Sequence, residues 1–458
     1  MRTRIIVVFI TAAIIFMLFI NHHHKPPVRI IAVAVMPFAN ATKDPRIDWV
    51  SAGIVSSIDT KISQVANIRN INMSHIMVMM KEMKLTDAML EDPATAARFA
   101  KVAGAKYIII GSYRKDRDNI KVVASVIKIK NPAVGKSISG SGSIKNIFDI
   151  ETDIAKQIAG AIGVKISARE SIAISKAPTK NLDAYISFSK ALSSQIRDLQ
   201  AESIKDYTEA IRFDPNYATA YRSRGVAYLN MQDYDPAMMD LNKAIGLEPD
   251  LRDSYYDRGI VYYYKKDYDS AIADFSKARE IDPLYADAYT YRGRTYSKIR
   301  ENYKAIANCS KAVELNPDDA KNYIDRGLCY CAGLDYRRAI EDFSKAIEID
   351  PYHARSYYDR GYAYHRNGHS NKNPGTIGWD IHPNFSSEDF DKALVDFSKA
   401  IKMDPGNVYC YYYRGEVYAD LRNNEKALAD YYQFLKVAPK SERELIEIVK
   451  KNIESLGK

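Results

Sequence analysis

At 458 residues the chain exceeds one ordinary core, so two or three domains are expected. A content of 47% hydrophobic and 27% charged residues excludes a disordered or low-complexity protein. The net charge of +9 is concentrated in residues 1–180, which hold 26 Lys+Arg against 13 Asp+Glu, while zinc-finger spacings, RNP-like strands and concentrated basic helices are missing, so nucleic acid is not an expected partner.

The first element is Ile5 to Ile20, sixteen residues without charge or proline, preceded by Arg2 and Arg4. Snorkelling flanks let so short a run span a bilayer. No small-residue cleavage site follows Met17-Leu18-Phe19-Ile20, so residues 1–28 are expected to be an uncleaved signal anchor with its flank. Positive charges before the run place that end in the cytoplasm and the bulk of the chain in the periplasm of a bacterial inner membrane. Lys25 and Arg29 on the other flank favour the alternative, a chain facing the cytoplasm.

Residues 29–166 read as an α/β sandwich in the order β-α-β-α-α-β-β-β-α. Arg29 to Phe38 is a β-rich apolar run. Asn40 to Asp44 is a turn, and Val50, Ile54, Ile58 and Ile62 step by four along one face of a helix. A short strand at Ile68–Met73 precedes helices around His75–Met83 and Pro93–Val102. Lys106–Arg114, Asn119–Lys130 and Ala133–Ser143 are successive strands, and a helix from Ile147 to Ile162 closes the unit. The IAVAVMPFAN start, Val102 to Ser112 (VAGAKYIIIGS) and the closing FDIETDIAKQIAGAI resemble the TolB amino-terminal-like domain. That resemblance implies an envelope or signalling-associated interaction domain, often joined to tetratricopeptide repeats in bacteria, with no catalytic residues to transfer. Gly111 is expected to allow close packing or a bulge in its strand.

Residues 167–181 are poor in large apolar side chains and read as a linker. Beyond them, prolines fall at 215, 249, 283, 317, 351, 405 and 439, thirty-four residues apart but for one longer step. Glycines at 225, 259, 293, 327, 361 and 415, two alanine series and tyrosines at 228, 262, 296, 330, 364 and 418 keep the same beat. This is the tetratricopeptide signature, a stack of antiparallel helix pairs with small residues where helices meet. The solenoid is expected over 182–458, with a degenerate unit at 184–217 and full units at 218–251, 252–285, 286–319, 320–353, 354–407 and 408–441. A capping helix at 442–457 ends it. The fifth full unit carries an insertion at about 367–386, between its two helices. Trp379 there is either an adhesive tip or a ring folded back on its neighbour, and His369, Asp380 and His382 read as incidental to a tolerated loop rather than as a metal site. Neither metal nor cofactor is expected.

First helices of such repeats line the concave groove through repeat positions 2, 5, 6, 9, 12 and 13. Here these include Tyr256, Tyr263, Tyr264, Tyr291, Tyr358, Tyr362, Tyr409, Tyr412 and Tyr413, with Arg222, Arg294, Arg355 and Arg366. Tyr and Arg are the residue types of binding hot spots, although about half of these tyrosines are expected only to pack between helices. The clamp for chaperone tails needs Lys at position 5 and Asn at position 9. The pairs Arg222/Val226, Tyr256/Ile260, Thr290/Arg294, Ile324/Leu328 and Tyr358/Tyr362 do not supply it. All four cysteines lie among the repeats, and Cys309 and Cys329 fall on adjacent helices where a bridge is conceivable. Walker, GxSxG, HExxH and kinase motifs are missing. The expectation is a membrane-anchored scaffold that captures a protein or peptide. The alternatives are a regulatory or sensory subunit of a cytoplasm-facing signalling system and an enzyme with an unrecognised site.

Overall fold

Strand β1 (Ile31–Val35) explains the architecture of the amino-terminal part. Val33 and Val35 enter one apolar cluster, Ala34 and the following Met36 another, and all are buried. A strand apolar on both faces needs cover on both. The computed structural model describes residues 30–71, 76, 79–80, 92–370 and 387–457. It divides into one unit up to Leu199 and a second from Gln200.

In the first unit β3 (Ile68–Asn70), β1, β4 (Tyr107–Asp116), β5 (Asn119–Lys128) and β6 (Asn131–Ser143) form a sheet in that spatial order. The pair β2 (Ala39–Asn40), not foreseen, adds in parallel to β4. The β1 pairings are parallel and the β4–β5–β6 meander is antiparallel. One face is covered by α1 (Trp49–Ile62) and α3 (Ile147–Ala161), whose Val50, Ile54, Ile58, Ile154 and Ile158 are wholly buried. The other is covered by α2 (Pro93–Val102) through Ala96, Phe99 and Ala100. Asp92 caps α2, accepting the backbone N–H groups of Ala94 and Thr95. Of the helix expected around 75–83 only residues 76, 79 and 80 are described; they are helical and buried.

Gly111 marks a close approach rather than a bulge. A Cβ there would stand 2.6 Å from the Val123 carbonyl oxygen and press into the Phe38 ring. The register shift of this sheet lies elsewhere, at Ile127/Lys128.

Residues 167–181 are not an extended linker. Ser167 and Glu170 form a reciprocal capping box that starts α4 (Ala168–Ser175), and Ile174 is wholly buried in the core of the first unit. Helix α5 (Leu182–Ile196), expected as the opening helix of the degenerate repeat, packs on α1 of the first unit. A Cβ on Gly53 would stand 2.6 Å from Ser189 Oγ, so the bare glycine lets α1 and α5 close together. Tyr185 reaches from α5 to donate to the buried Glu151 carboxylate, which also accepts from Ser57 Oγ. Burial pushes Glu151 up to about 7. Nearby, the ammonium of Lys61 donates to Thr152 Oγ1 and to the backbone oxygens of Ile174 and Lys176.

The second unit is all helical. After α6 (Gln200–Phe213) come six helix pairs, one to each repeat unit, five of them with a thirty-four-residue period and one lengthened by the insertion. They are α7 (Ala218–Asn230) with α8 (Tyr234–Leu247), α9 (Arg252–Tyr264) with α10 (Tyr268–Ile281), and α11 (Ala286–Lys298) with α12 (Asn302–Leu315). Next are α13 (Ala320–Ala332) with α14 (Tyr336–Ile349) and α15 (Ala354–Ser370) with α16 (Ser387–Met403). The pair α17 (Val408–Asp420) and α18 (Asn424–Val437) and the terminal α19 (Arg443–Leu456) follow. The helix-pair glycines answer a bulky partner: a Cβ on Gly259 would stand 2.7 Å from the Phe275 ring, one on Gly327 2.6 Å from Phe343. The first residues of the expected insertion are helical. Residues 367–370 continue α15, because Gly368 packs on Phe390 and Asn367 donates to Asp389 at 2.9 Å. Trp379, Asp380 and His382 lie outside the described residues, as do Ile5–Ile20 and the rest of the expected anchor. Among the described residues no helix is long and apolar enough to cross a membrane.

Candidate functional site

The face formed by the first helices of successive pairs carries the candidate groove residues. Consecutive first helices sit one period apart, so residues at one repeat position stack from unit to unit. Tyr256 on α9 touches the rings of Phe275, Tyr285 and Tyr291, its centroid 5.4 Å from that of Tyr291 on α11. Tyr263 meets Tyr264, Tyr268 and Tyr291 edge-on. A second aromatic group joins Tyr358 and Tyr362 on α15 to Tyr413 on α17, 6.0 and 5.2 Å away, and Tyr412 follows at 4.9 Å from Tyr413. Phe275 is wholly buried, and the tyrosines of both groups are half-buried except Tyr264, which is 52% exposed and stacks on Tyr234. Tyr409, 39% exposed, donates to Glu442 Oε1 at 2.8 Å. Burial lifts the phenols of Tyr256 and Tyr358 above the ordinary tyrosine range, so they stay neutral at every physiological pH.

The arginines of this face are engaged differently from the expectation. Arg294 donates from Nε and Nη2 to the two oxygens of Asp325 at 2.6 and 2.9 Å, and its guanidinium lies 4.8 Å from the Tyr291 ring. Arg222 donates to Asp257 at 2.6 Å, and Arg355 to Asp359 at 3.4 Å. Arg366, exposed, lies over the Tyr336 ring and donates to that hydroxyl at 3.4 Å. The buried acids Asp257, Asp325 and Asp359 are the residues that sequence reasoning missed on this face. Burial pushes Asp257 and Asp359 up to about 6 against the pull of Arg222 and Arg355, and Asp325 shifts upward for the same reason. Their spacing by multiples of thirty-four residues was the available signal.

A second ladder was also missed. Arg224, Arg258, Arg326, Arg360 and Arg414, each just before a repeat glycine, hold Asp240, Asp274, Asp342, Asp396 and Asp430 of the paired helix by two parallel bonds of 2.6–2.8 Å. The remaining arm reaches the preceding pair: Arg258 to Asn242, Arg360 to Ser344 and Arg414 to Ser398. One guanidinium thus ties three helices. In the third period Arg292 meets Asn308 instead, by one bond of 2.8 Å from Nε.

Cys309 and Cys329 are buried free thiols with sulfurs 3.4 Å apart, well beyond the ~2.05 Å of a disulfide. At the carboxy-terminal ends of α15 and α17, Nε2 of His365 and Nε2 of His369 lie 2.8 and 2.9 Å from Asp420 Oδ2 and 3.1 Å from each other. His369 was weighed with Asp380 and His382, but the fold brings it to His365 and Asp420.

Tetratricopeptide-repeat family models match residues 200–232, 218–251, 253–285, 286–319, 330–368 and 397–429. The chain is similar to a solved tetratricopeptide repeat protein from Parabacteroides merdae, with 14% identity, 60% of this chain and 99% of that one covered, and a TM-score of 0.45. It is similar to the carboxy-terminal part of a repeat protein from Cytophaga hutchinsonii, with 20% identity, 56% and 98% coverage and a TM-score of 0.40. YrrB, described as a repeat protein with an unusual peptide-binding site, shares 24% identity over 44% of this chain and 95% of its own, with a TM-score of 0.33. No curated protein matches the chain. The carboxy-terminal part of this chain is a tetratricopeptide-repeat solenoid.

Proposed function

We propose that the chain is a protein-binding scaffold that captures a protein or peptide on the first-helix face of its repeats. The carrying observation is two runs of tyrosine rings on that face, one from Tyr256 and Tyr263 to Tyr291 and one from Tyr358 and Tyr362 to Tyr413. Neutral, half-buried phenols offer large rigid contact area with a polar edge at low entropic cost. Tyr264, Tyr409 and Arg366 add exposed contact points. Arg294 contributes through its position over Tyr291, since its fork is committed to Asp325. The ion pairs of Arg222, Arg294 and Arg355 with Asp257, Asp325 and Asp359 hold the face in shape, which suits a binding surface.

The scaffold is carried, in this proposal, on a single inner-membrane anchor at Ile5–Ile20 with the bulk of the chain in the periplasm; the support is the charge pattern of the sequence. Residues 29–166 are proposed as a TolB amino-terminal-like domain, on the motifs that form β1, β4 and α3. Trp379 on the insertion is a proposed accessory contact.

Affinity capture from cells with the intact chain and with a Tyr263→Ala/Tyr358→Ala/Tyr362→Ala variant tests the groove. Loss of a specific partner in the variant, with far-UV circular dichroism unchanged, is expected. Retention of every partner removes the groove from the account. Alkaline phosphatase fused after Lys458 is expected to be active; an inactive fusion with cytoplasmic fluorescence instead places the scaffold on the cytoplasmic side.

A further inference from the structure

The cluster at the carboxy-terminal ends of α15 and α17 differs in chemistry from the tyrosines of the first-helix face, and its geometry has a use of its own. His365 and His369 are four residues apart on α15, which puts both imidazoles on one helical face. Asp420 comes from the next pair, as the last residue of α17. Their three converging atoms form a triangle with sides of 2.8, 2.9 and 3.1 Å. Phe390 on α16 walls both rings, at 5.8 Å from His365 and 5.3 Å from His369. His365 is only 6% exposed, and its Nδ1 is buried with no partner, so hydrogen bonding fixes that ring from its Nε2 side alone.

We infer that His365, His369 and Asp420 form a binding site for one divalent first-row transition-metal ion. Two imidazole nitrogens and one carboxylate oxygen suit zinc, nickel or cobalt; calcium and magnesium take oxygen ligands. Ligands ~2.1 Å from an ion and at right angles to one another stand about 3.0 Å apart, against about 3.4 Å in a tetrahedron. The observed triangle matches the right-angled case. The three residues supply three ligand positions of one shell, and its other positions would go to water or to a donor from a bound partner. Because the ligands come from two consecutive repeats, the ion clips α15 to α17. Its binding adds stability to that junction, as any ligand of the folded state does.

The test uses the full chain, stripped with a chelator, in a His22→Ala/His23→Ala/His24→Ala background that removes the other cluster of imidazoles. Titration calorimetry with Zn²⁺ and with Ni²⁺ is expected to show one ion per chain. Adding His365→Ala/His369→Ala is expected to weaken that binding at least 100-fold, and Asp420→Asn, which keeps size and shape, about 10-fold. The melting temperature of the background protein rises on adding the ion, and that of the double variant does not. Absence of binding in the background, or equal affinity in the double variant, overturns the inference. Should the double variant lose its helical circular dichroism, Asp420→Asn alone decides, and unchanged affinity there overturns the inference equally.

Discussion

Removing one arginine of the inter-helix ladder measures how much each rung holds. Arg326 donates from Nη2 and Nε to Asp342 at 2.6 and 2.8 Å, with side chains 21% and 7% exposed. A surface ion pair is worth about 0–1 kcal/mol, whereas breaking a buried one costs about 3–5 kcal/mol. With one partner a fifth exposed and the other nearly sealed, Arg326→Ala is expected to cost about 2–3 kcal/mol at pH 8, and a double-mutant cycle with Asp342→Ala to give a coupling of about 1.5 kcal/mol. Burial already raises the Asp342 pKa while Arg326 lowers it. Without the arginine that pKa climbs further above its unfolded value. The carboxyl then takes a proton in the folded state, so the cost of Arg326→Ala shrinks as pH falls from 8 towards 5. Urea unfolding followed by far-UV circular dichroism at the two pH values reads both quantities. A coupling below about 0.5 kcal/mol, or a cost independent of pH, refutes the rung as a buried clamp.

Two further outcomes follow from the same electrostatics. Arg292 has a neutral partner, and burial together with Arg279 lowers its pKa; Asn308→Asp is expected to restore the rung and stabilise the protein by up to about 1 kcal/mol at pH 7, checked by urea midpoint, with the gain lost under acid as the new carboxyl protonates. In the first unit Glu151 holds its proton up to about 7 because it is buried; its folded pKa exceeds the unfolded one, so its contribution is most favourable below the unfolded pKa and declines as pH rises through about 7. The stability of the intact chain relative to a Glu151→Gln variant is therefore expected to fall between pH 5 and 8, by no more than about 3 kcal/mol.

The repeats were legible because each small residue recurs at its position in five or six units. Gly259, Gly327 and their equivalents meet the paired helix wherever the beat places them. The sheet was legible from β1, which is uniformly apolar, and from β5, which largely alternates with a period of two. Helix α4 was missed since it buries one large residue, Ile174, and its signal is the Ser167/Glu170 capping box. Helix α5 has a repeat-like alanine at 191, yet Tyr185 serves Glu151 in the first unit, a pairing that only tertiary structure creates. On the first-helix face the tyrosines could be placed by repeat position, but no sequence spacing shows that Arg222 and Arg294 pair with the periodic acids Asp257 and Asp325. The His365–Asp420 contact spans the insertion and the following repeat, so no local spacing announces it.

The central claim is that the first-helix face is where a partner docks. Photo-cross-linking in cells from a benzophenone amino acid placed at Tyr264 or Tyr409, both exposed on first helices, tests it against the same probe at Tyr303, which is 92% exposed on the second helix α12. The account predicts one shared cross-linked protein from positions 264 and 409 and none of it from 303. The same protein captured from 303 alone, or equally from all three, would contradict it.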